Sequence, residues 1–110
     1  MKLAVIGSRV LKCIDIEKYM RADITEIVSG GAKGVDSLAR EYAERKGIKL
    51  TEFIPEYKSY GRAAPIVRNR KIVDYADEVL AFWDGSSKGT LFVIEYAKKR
   101  GKPCSVILFR

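Results

Sequence analysis

Two rhythms of apolar and polar positions alternate along this chain. Short apolar runs recur at Lys2–Ile6, Asp23–Val28, Ile48–Ile54, Glu78–Trp83 and Pro103–Phe109. Each is short and sharply bounded, as a buried strand should be. Stretches with helical spacing lie between them. The clearest is Gly34–Lys46, where Val35, Leu38, Ala39, Tyr42 and Ala43 form one stripe and Arg40, Glu41, Glu44 and Arg45 lie off it. Gly47 then supplies a C-terminal stop. Ala63–Ala76 carries Pro65 in its first turn, where proline is tolerated, with Ile66, Ile72, Val73 and Ala76 on its apolar side. Gly89–Arg100 is the last helical stretch, ended by Gly101. A fainter helical pattern covers Leu11–Arg21 through Leu11, Ile14, Lys18 and Tyr19. Glu56–Arg62 reads as irregular, with Tyr57 and Tyr60 as a candidate flap.

Strands and helices therefore alternate throughout. That order predicts a single α/β domain over residues 1–110: a doubly wound, Rossmann-like three-layer fold around a five-stranded, mostly parallel sheet. Right-handed crossovers leave few topologies, and the expected strand order is 3-2-1-4-5. Ligands in such sheets bind beyond the carboxyl ends of the strands, where the order reverses. Here that point lies between the first and fourth strands. The turns after strands one, two and four should meet there.

Those turns hold the candidate chemistry. They are Gly7-Ser8-Arg9, Ser29-Gly30-Gly31-Ala32-Lys33-Gly34 and Asp84-Gly85-Ser86-Ser87-Lys88-Gly89-Thr90. A helix start offers unpaired backbone N–H groups and a partial positive charge. Glycines let that backbone approach a ligand, and Lys33 and Lys88 each add a cation. The pattern suits a phosphate-bearing small molecule. Neither turn is a GxGxxG dinucleotide fingerprint or a GxxxxGK[ST] P-loop. The expected contacts are backbone N–H groups of Gly31–Gly34 and Ser87–Thr90, and hydroxyls of Ser8, Ser87 and Thr90. Charge-assisted contacts are expected from Arg9 and Arg68. Asn69 is a further ligand-binding candidate. Two carboxylates are catalytic candidates. Asp84, at a strand end, is the better placed for ribose binding or general-base work. Asp36, just inside a helix start, has interaction with the helix dipole as its simpler role. Trp83 is a candidate for base stacking, although a tryptophan there more often serves the core.

Composition narrows the field. The chain has 110 residues, a net charge of +7 and no histidine. The charge favours anionic partners without choosing among them. Lack of histidine removes the commonest general base and zinc ligand, and no metal site is expected. Cys13 and Cys104 form no metal-spaced pair and read as reduced. No apolar stretch approaches the ~20 residues of a membrane span, and the basic, apolar N-terminus is too short for a signal peptide. A cytoplasmic location is the expectation. The apolar run Leu91–Ile94 exceeds one stripe, as it would if a second subunit covered its outer face, so a homo-oligomer is open.

The segment Ser29–Ala39 resembles the GGAxGxDxxA signature of the SLOG superfamily, and within it the YspA/YpsA-related family. Gly7-Ser8-Arg9, Pro65-Ile66-Val67-Arg68-Asn69-Arg70 and Asp84–Thr90 agree with that family's pattern in order, so the resemblance spans nearly the whole chain. It implies a Rossmann-like fold that binds nucleotides or nucleotide-derived molecules. The ligand would be of the ADP-ribose, NAD-derivative or nucleoside monophosphate type, and a sensor is one implied role. The superfamily also includes LOG-type phosphoribohydrolases and DprA-like DNA-binding proteins. LOG enzymes place a glutamate three residues after the threonine of their second turn. Here that position is Val93, and Glu95 lies five residues after Thr90. Three helical residues turn by ~300° and five by ~500°, so Glu95 does not substitute. This departure counts against N-glycosidic hydrolysis by the LOG mechanism. Single-stranded nucleic-acid binding remains the other alternative, permitted by the basic stretch Arg62–Lys71 but without a visible recognition module.

Overall fold

Parallel pairing is the organising feature of the computed structural model, which describes residues 1–11 and 13–109. Its strands are β1 (Lys2–Gly7), β2 (Glu26–Ser29), β3 (Lys49–Glu52), β4 (Glu78–Trp83) and β5 (Cys104–Leu108). They form one sheet in the order β3-β2-β1-β4-β5, with every neighbour parallel. The central strands β1 and β4 are apolar through their middles and buried on both sides, as a sheet covered on two faces requires.

Helix α1 (Val35–Lys46) covers one face. Its stripe of Val35, Ala39, Tyr42 and Ala43 packs with Leu3, Val5, Ile27, Leu80 and Phe82. Helices α3 (Ala64–Tyr75) and α4 (Lys88–Lys99) cover the other. There Ile72, Val73, Ala76, Val93 and Ala97 meet Ala4, Ile6, Val28, Val79 and Ala81. Within the run Leu91–Ile94, Val93 is buried in this core, Phe92 and Ile94 pack partly buried against it, and Leu91 stays exposed. The Arg70 guanidinium of α3 lies 5.9 Å from the centre of the Phe92 ring.

Three expectations change. The stretch Leu11–Arg21 is not an α-helix: it holds one 3-10 turn, Ile16–Tyr19, and Lys12 lies outside the described residues. Leu11, Ile14, Ile16, Tyr19 and Met20 all reach the core, and they are too widely spread around a helix to do so from one face. The Glu56–Arg62 stretch, expected to be irregular, contains a helical turn α2 (Tyr57–Tyr60) and a 3-10 turn, Gly61–Ala63. Strand β2 is shorter than predicted because residues before it tie down the chain start: the Met1 amine donates to the Asp23 carbonyl and the Thr25 hydroxyl. No described helix is long and apolar enough to cross a membrane.

Candidate functional site

The loops after β1, β2 and β4 meet at the strand-order reversal, and the first turns of α3 join them. Between them lies a cleft of about 410 Å³. Its walls include Gly7, Ser8 and Arg9 from the first loop, Gly30 and Asp36 from the second, and Arg68 and Asn69 from α3. Asp84, Ser87, Gly89 and Thr90 complete it from the turn into α4. Five other candidates do not line it: Gly31, Lys33, Gly34, Gly85 and Lys88. Both lysines of the glycine turns are thus outside the lining, exposed to solvent.

Side chains and backbone hold the turn after β4 rigidly. The Asp84 Oδ1 accepts the N–H groups of Ser86 (2.9 Å) and Ser87 (2.8 Å). Ser87 is the N-cap of α4, its hydroxyl accepting the Thr90 N–H at 3.3 Å. The Asp84 N–H donates to the buried Ser8 hydroxyl at 3.2 Å, which fastens this turn to the end of β1. These N–H groups, Ser86 first and Ser87 next, hold the Asp84 carboxyl below its usual range. A carboxylate so stabilised is a poor proton acceptor. Trp83 belongs to the same scaffold: its indole N–H donates to the Ser87 carbonyl at 3.0 Å, and it does not line the cleft. The backbone N–H groups of Lys88 and Gly89, first in the helix, have no intrahelical partner.

The turn after β2 is built around Asp36. Its Oδ2 accepts the Ala32 N–H at 3.1 Å. The Ser37 hydroxyl donates to the Ala32 carbonyl, at 3.3 Å. Part of this loop's hydrogen-bonding capacity therefore serves its own shape. Gly34 has φ +71°, and a Cβ there would sit 2.6 Å from the Arg9 carbonyl oxygen. Glycine at this point lets the first loop lie directly over the start of α1.

Arg68 reaches this region from α3. Its Nη1 donates to the carbonyls of Gly30 (2.8 Å) and Phe53 (3.4 Å), and its Nε to the Asn69 Oδ1 (2.7 Å). Gly30 has no side chain to obstruct it: a Cβ would lie 2.6 Å from Arg68 Nη1 and 3.1 Å from Asp36 Oδ2. Burial lowers the Arg68 pKa, the Asp36 charge opposes that, and Arg9 adds to it. Burial is also the dominant influence on Asp36, and it pushes the carboxyl up. The Ala32 N–H and the Arg68 charge oppose this. The Ser29 hydroxyl also favours the charged form, yet it sits outside hydrogen-bonding geometry and is buried with no partner among the described residues. Asp36 is thus the better proton acceptor of the two carboxylates, and Asp84 the more committed to structure.

Arg9 is different in kind. It is exposed, lines the cleft, and makes no ion pair or side-chain hydrogen bond among the described residues. Of the remaining lining, Ile6, Val10, Pro65 and Ile72 were not singled out from the sequence as site residues, whereas Ala32 falls within the expected backbone contacts Gly31–Gly34 and Val93 is the position compared above with the LOG glutamate. Ile72 was legible only as an apolar helix position, since such spacing does not distinguish a cleft floor from a core. The aromatic pair Tyr57 and Tyr60 is largely exposed on α2 and does not line the cleft. Among the described residues, no group of three or more His, Cys, Asp or Glu side chains is placed to hold a metal ion.

A Rossmann-like α/β domain with its cleft at the sheet's reversal point is the class these features define. The chain belongs to the YspA, cpYpsA-related SLOG family (YAcAr), whose family model matches residues 2–60. That span contains the loops after β1 and β2, with Gly7, Arg9, Gly30 and Asp36, while Arg68, Asn69 and the turn into α4 lie beyond it. A search of curated proteins finds no match.

Proposed function

We propose that the protein binds a nucleotide or nucleotide-derived phosphate in the cleft at the carboxyl edge of the sheet. One observation carries this reading: the Arg9 guanidinium, without a protein partner among the described residues, lines the same cleft as the start of α4. A phosphate there would meet a cation and the N–H group of Gly89, with the helix dipole favouring its charge. The apolar floor of Ile6, Ile72 and Val93 offers a surface for a less polar part of the ligand. Family membership supports the same class of ligand. Arg68 builds the wall through its Nε and Nη1, which are occupied, and keeps its charge on the cleft lining.

Single-stranded nucleic acid fits less well. The basic residues of α3 do not form a free stripe: Arg68 faces inward, Arg70 lies over Phe92, and Lys71 pairs with Glu56 at 3.4 Å. Hydrolysis of an N-glycosidic bond is a second reading, favoured by one feature, the desolvated Asp36 carboxylate in the cleft wall.

A thermal-shift panel tests these readings. It contains AMP, ADP, ATP, NAD, ADP-ribose, other nucleoside monophosphates and a short single-stranded oligonucleotide. A ligand at about 100 times its Kd stabilises the fold by ~2.7 kcal/mol, a readily measured shift. The proposal expects a shift with a nucleotide, lost in Arg9→Ala. A shift with the oligonucleotide alone overturns it. Base release from the bound nucleotide, abolished in Asp36→Asn with the fold intact, would establish the hydrolase reading.

A further inference from the structure

The sheet ends differently on its two sides. At the β3 edge, Lys49 and Glu52 supply charges that discourage pairing with another chain. At the opposite edge, β5 carries no charged residue. Only half of its backbone is used. The Pro103 carbonyl accepts the Val79 N–H at 2.9 Å, and the Phe109 N–H donates to the Trp83 carbonyl at 2.8 Å. With the parallel register from Val79↔Cys104 to Trp83↔Leu108, these bonds turn the N–H and C=O groups of Ser105 and Ile107 toward β4. Those of Cys104, Val106 and Leu108 point the other way, where no further strand lies among the described residues. Two of these residues also expose apolar side chains, Val106 by 43% and Leu108 by 49%. Cys104 packs with the core beneath α3 and α4, so by strand alternation all three side chains lie on that face. Leu91 is exposed on the same side of the sheet. It lies on the flank of α4 turned from α3, because Phe92 and Tyr96 meet Arg70 and Asp74 of α3. The charge nearest the start of β5 is turned away from the edge: the Lys102 amine donates to the Ala76 carbonyl at 2.7 Å and the Asp74 carbonyl at 3.4 Å.

We infer that β5 is a self-association edge. Two copies of the chain pair their β5 strands antiparallel, about a two-fold axis through Val106, and make one continuous sheet. That axis uses every open group. Val106 faces the partner's Val106, and Cys104 faces the partner's Leu108. Each such pair exchanges two backbone hydrogen bonds. A two-fold interface needs one patch complementary to itself, and this edge supplies donors, acceptors and apolar side chains from the same residues. The axis also keeps α4 of both copies on one face, so Val106 and Leu108 of each copy are covered by those of the other. Interfaces carry about one hydrogen bond per 100–200 Å², so a pairing of this length buries roughly 600–1,200 Å² in all. That is at or below the lower end for stable complexes, and the dimer should be reversible. Each copy carries a net charge of +7, so the association should strengthen as salt screens the repulsion. No residue of β5 lines the cleft, so the inference stands apart from the nucleotide reading.

The test is sedimentation equilibrium of the wild-type chain from about 1 μM to about 1 mM, at low and high salt. Two variants accompany it. Val106→Pro removes an outward N–H and costs the monomer no bond to β4. Val106→Lys sets two like charges opposite each other. The wild type should pass from monomer to dimer with concentration, at lower concentration in high salt. Both variants should stay monomeric throughout, with unchanged circular dichroism. Should the proline variant fail to fold, the lysine variant decides. Register is tested by Leu108→Cys in a Cys13→Ser background, with diamide as the oxidant. Opposed Cα atoms in such a pair lie about 5.5 Å apart, within disulfide reach. A covalent dimer should form through the partner's Cys104 and be lost on adding Cys104→Ser. A wild type that is monomeric at the highest concentration overturns the inference. So does a dimer that persists in Val106→Lys, which would place self-association on another face, or a dimer in which the Leu108→Cys cross-link fails to form.

Discussion

Gly7→Ala is the substitution for which the structure gives the most direct forecast. Gly7 ends β1 beside Phe82 of β4, and it precedes the loop that carries Ser8 and Arg9. A Cβ at this point would lie 2.5 Å from Val35 Cγ2 and 2.7 Å from the Phe82 carbonyl oxygen. The first contact is with a fully buried side chain at the start of α1, and the second is with backbone. That carbonyl also accepts the Ser8 N–H at 3.1 Å, so moving it disturbs the first loop. Gly7 has no positive φ, so the penalty is overlap rather than an unsuitable backbone conformation. Overpacking of this kind costs about 1–3 kcal/mol. In a domain near 100 residues, Tm should fall by roughly 5–20 °C. Gly89→Ala is the control. Gly89 lines the same cleft, has no positive φ, and nothing lies within 4 Å of its Cβ position. It should stay within about 0.5 kcal/mol of the parent or gain slightly. Urea denaturation of both variants, with m-values compared, measures the difference. A Gly7→Ala protein as stable as Gly89→Ala would refute the packing described between β1, β4 and α1.

Arg9→Ala should leave stability within about 0.5 kcal/mol of the parent, because the side chain is exposed and unpaired among the described residues, while abolishing nucleotide-dependent thermal shifts. Asp84→Ala should lower Tm through loss of the bonds to Ser86 and Ser87, measurably above pH 5 but less so in acid. The sign follows from a depressed folded pKa: the stabilisation is full above the unfolded pKa and disappears as pH falls through the folded one. Asp36→Asn should show the opposite trend, its stability relative to wild type improving as pH rises. The folded Asp36 pKa is raised, so the wild type loses stability as that carboxyl ionises. Arg68→Met should cost about 1–3 kcal/mol through the unpaired Gly30 and Phe53 carbonyls, with a larger deficit at pH 7 than at pH 4 because Asp36 loses its nearest cation. Urea titrations across pH test these three together.

The strand order, the long helices and the meeting of three loops were legible in the chain because period and punctuation determine them. The apolar runs before Gly7, Gly30 and Asp84 marked the carboxyl ends of the strands, and right-handed crossovers placed those ends together. The Leu11–Arg21 stretch was misread because its apolar residues are numerous enough for a helix but wrongly phased for one face. The position of a residue in a glycine turn also does not say which way its side chain leaves. Lys33 and Lys88 follow the expected motif and face solvent, whereas Arg68, in the middle of a basic helix, turns inward onto carbonyls 15 and 38 residues away in sequence. Such a contact depends on the sheet being assembled, and no local pattern encodes it.

The two carboxylates illustrate how tertiary structure reverses a local reading. Asp84 sits at a strand end, and from the sequence it is the natural candidate for chemistry. Yet the turn that follows it offers two N–H groups within hydrogen-bonding distance, and the carboxylate stabilises that turn. Asp36 sits at a helix start, where a dipole interaction alone would hold its pKa down. The assembled fold places β2, α1 and α3 around it, and the loss of water outweighs the Ala32 N–H, the Arg68 charge and the Ser29 hydroxyl together. The result is a cleft whose wall carries a partly desolvated carboxylate beside the Arg68 guanidinium, with the exposed Arg9 lining the same space. Phosphate ion alone should bind far more weakly than the nucleoside monophosphate, because it leaves the apolar floor of Ile6, Ile72 and Val93 uncovered. Equal affinity for the two would mean that the floor contributes nothing to binding.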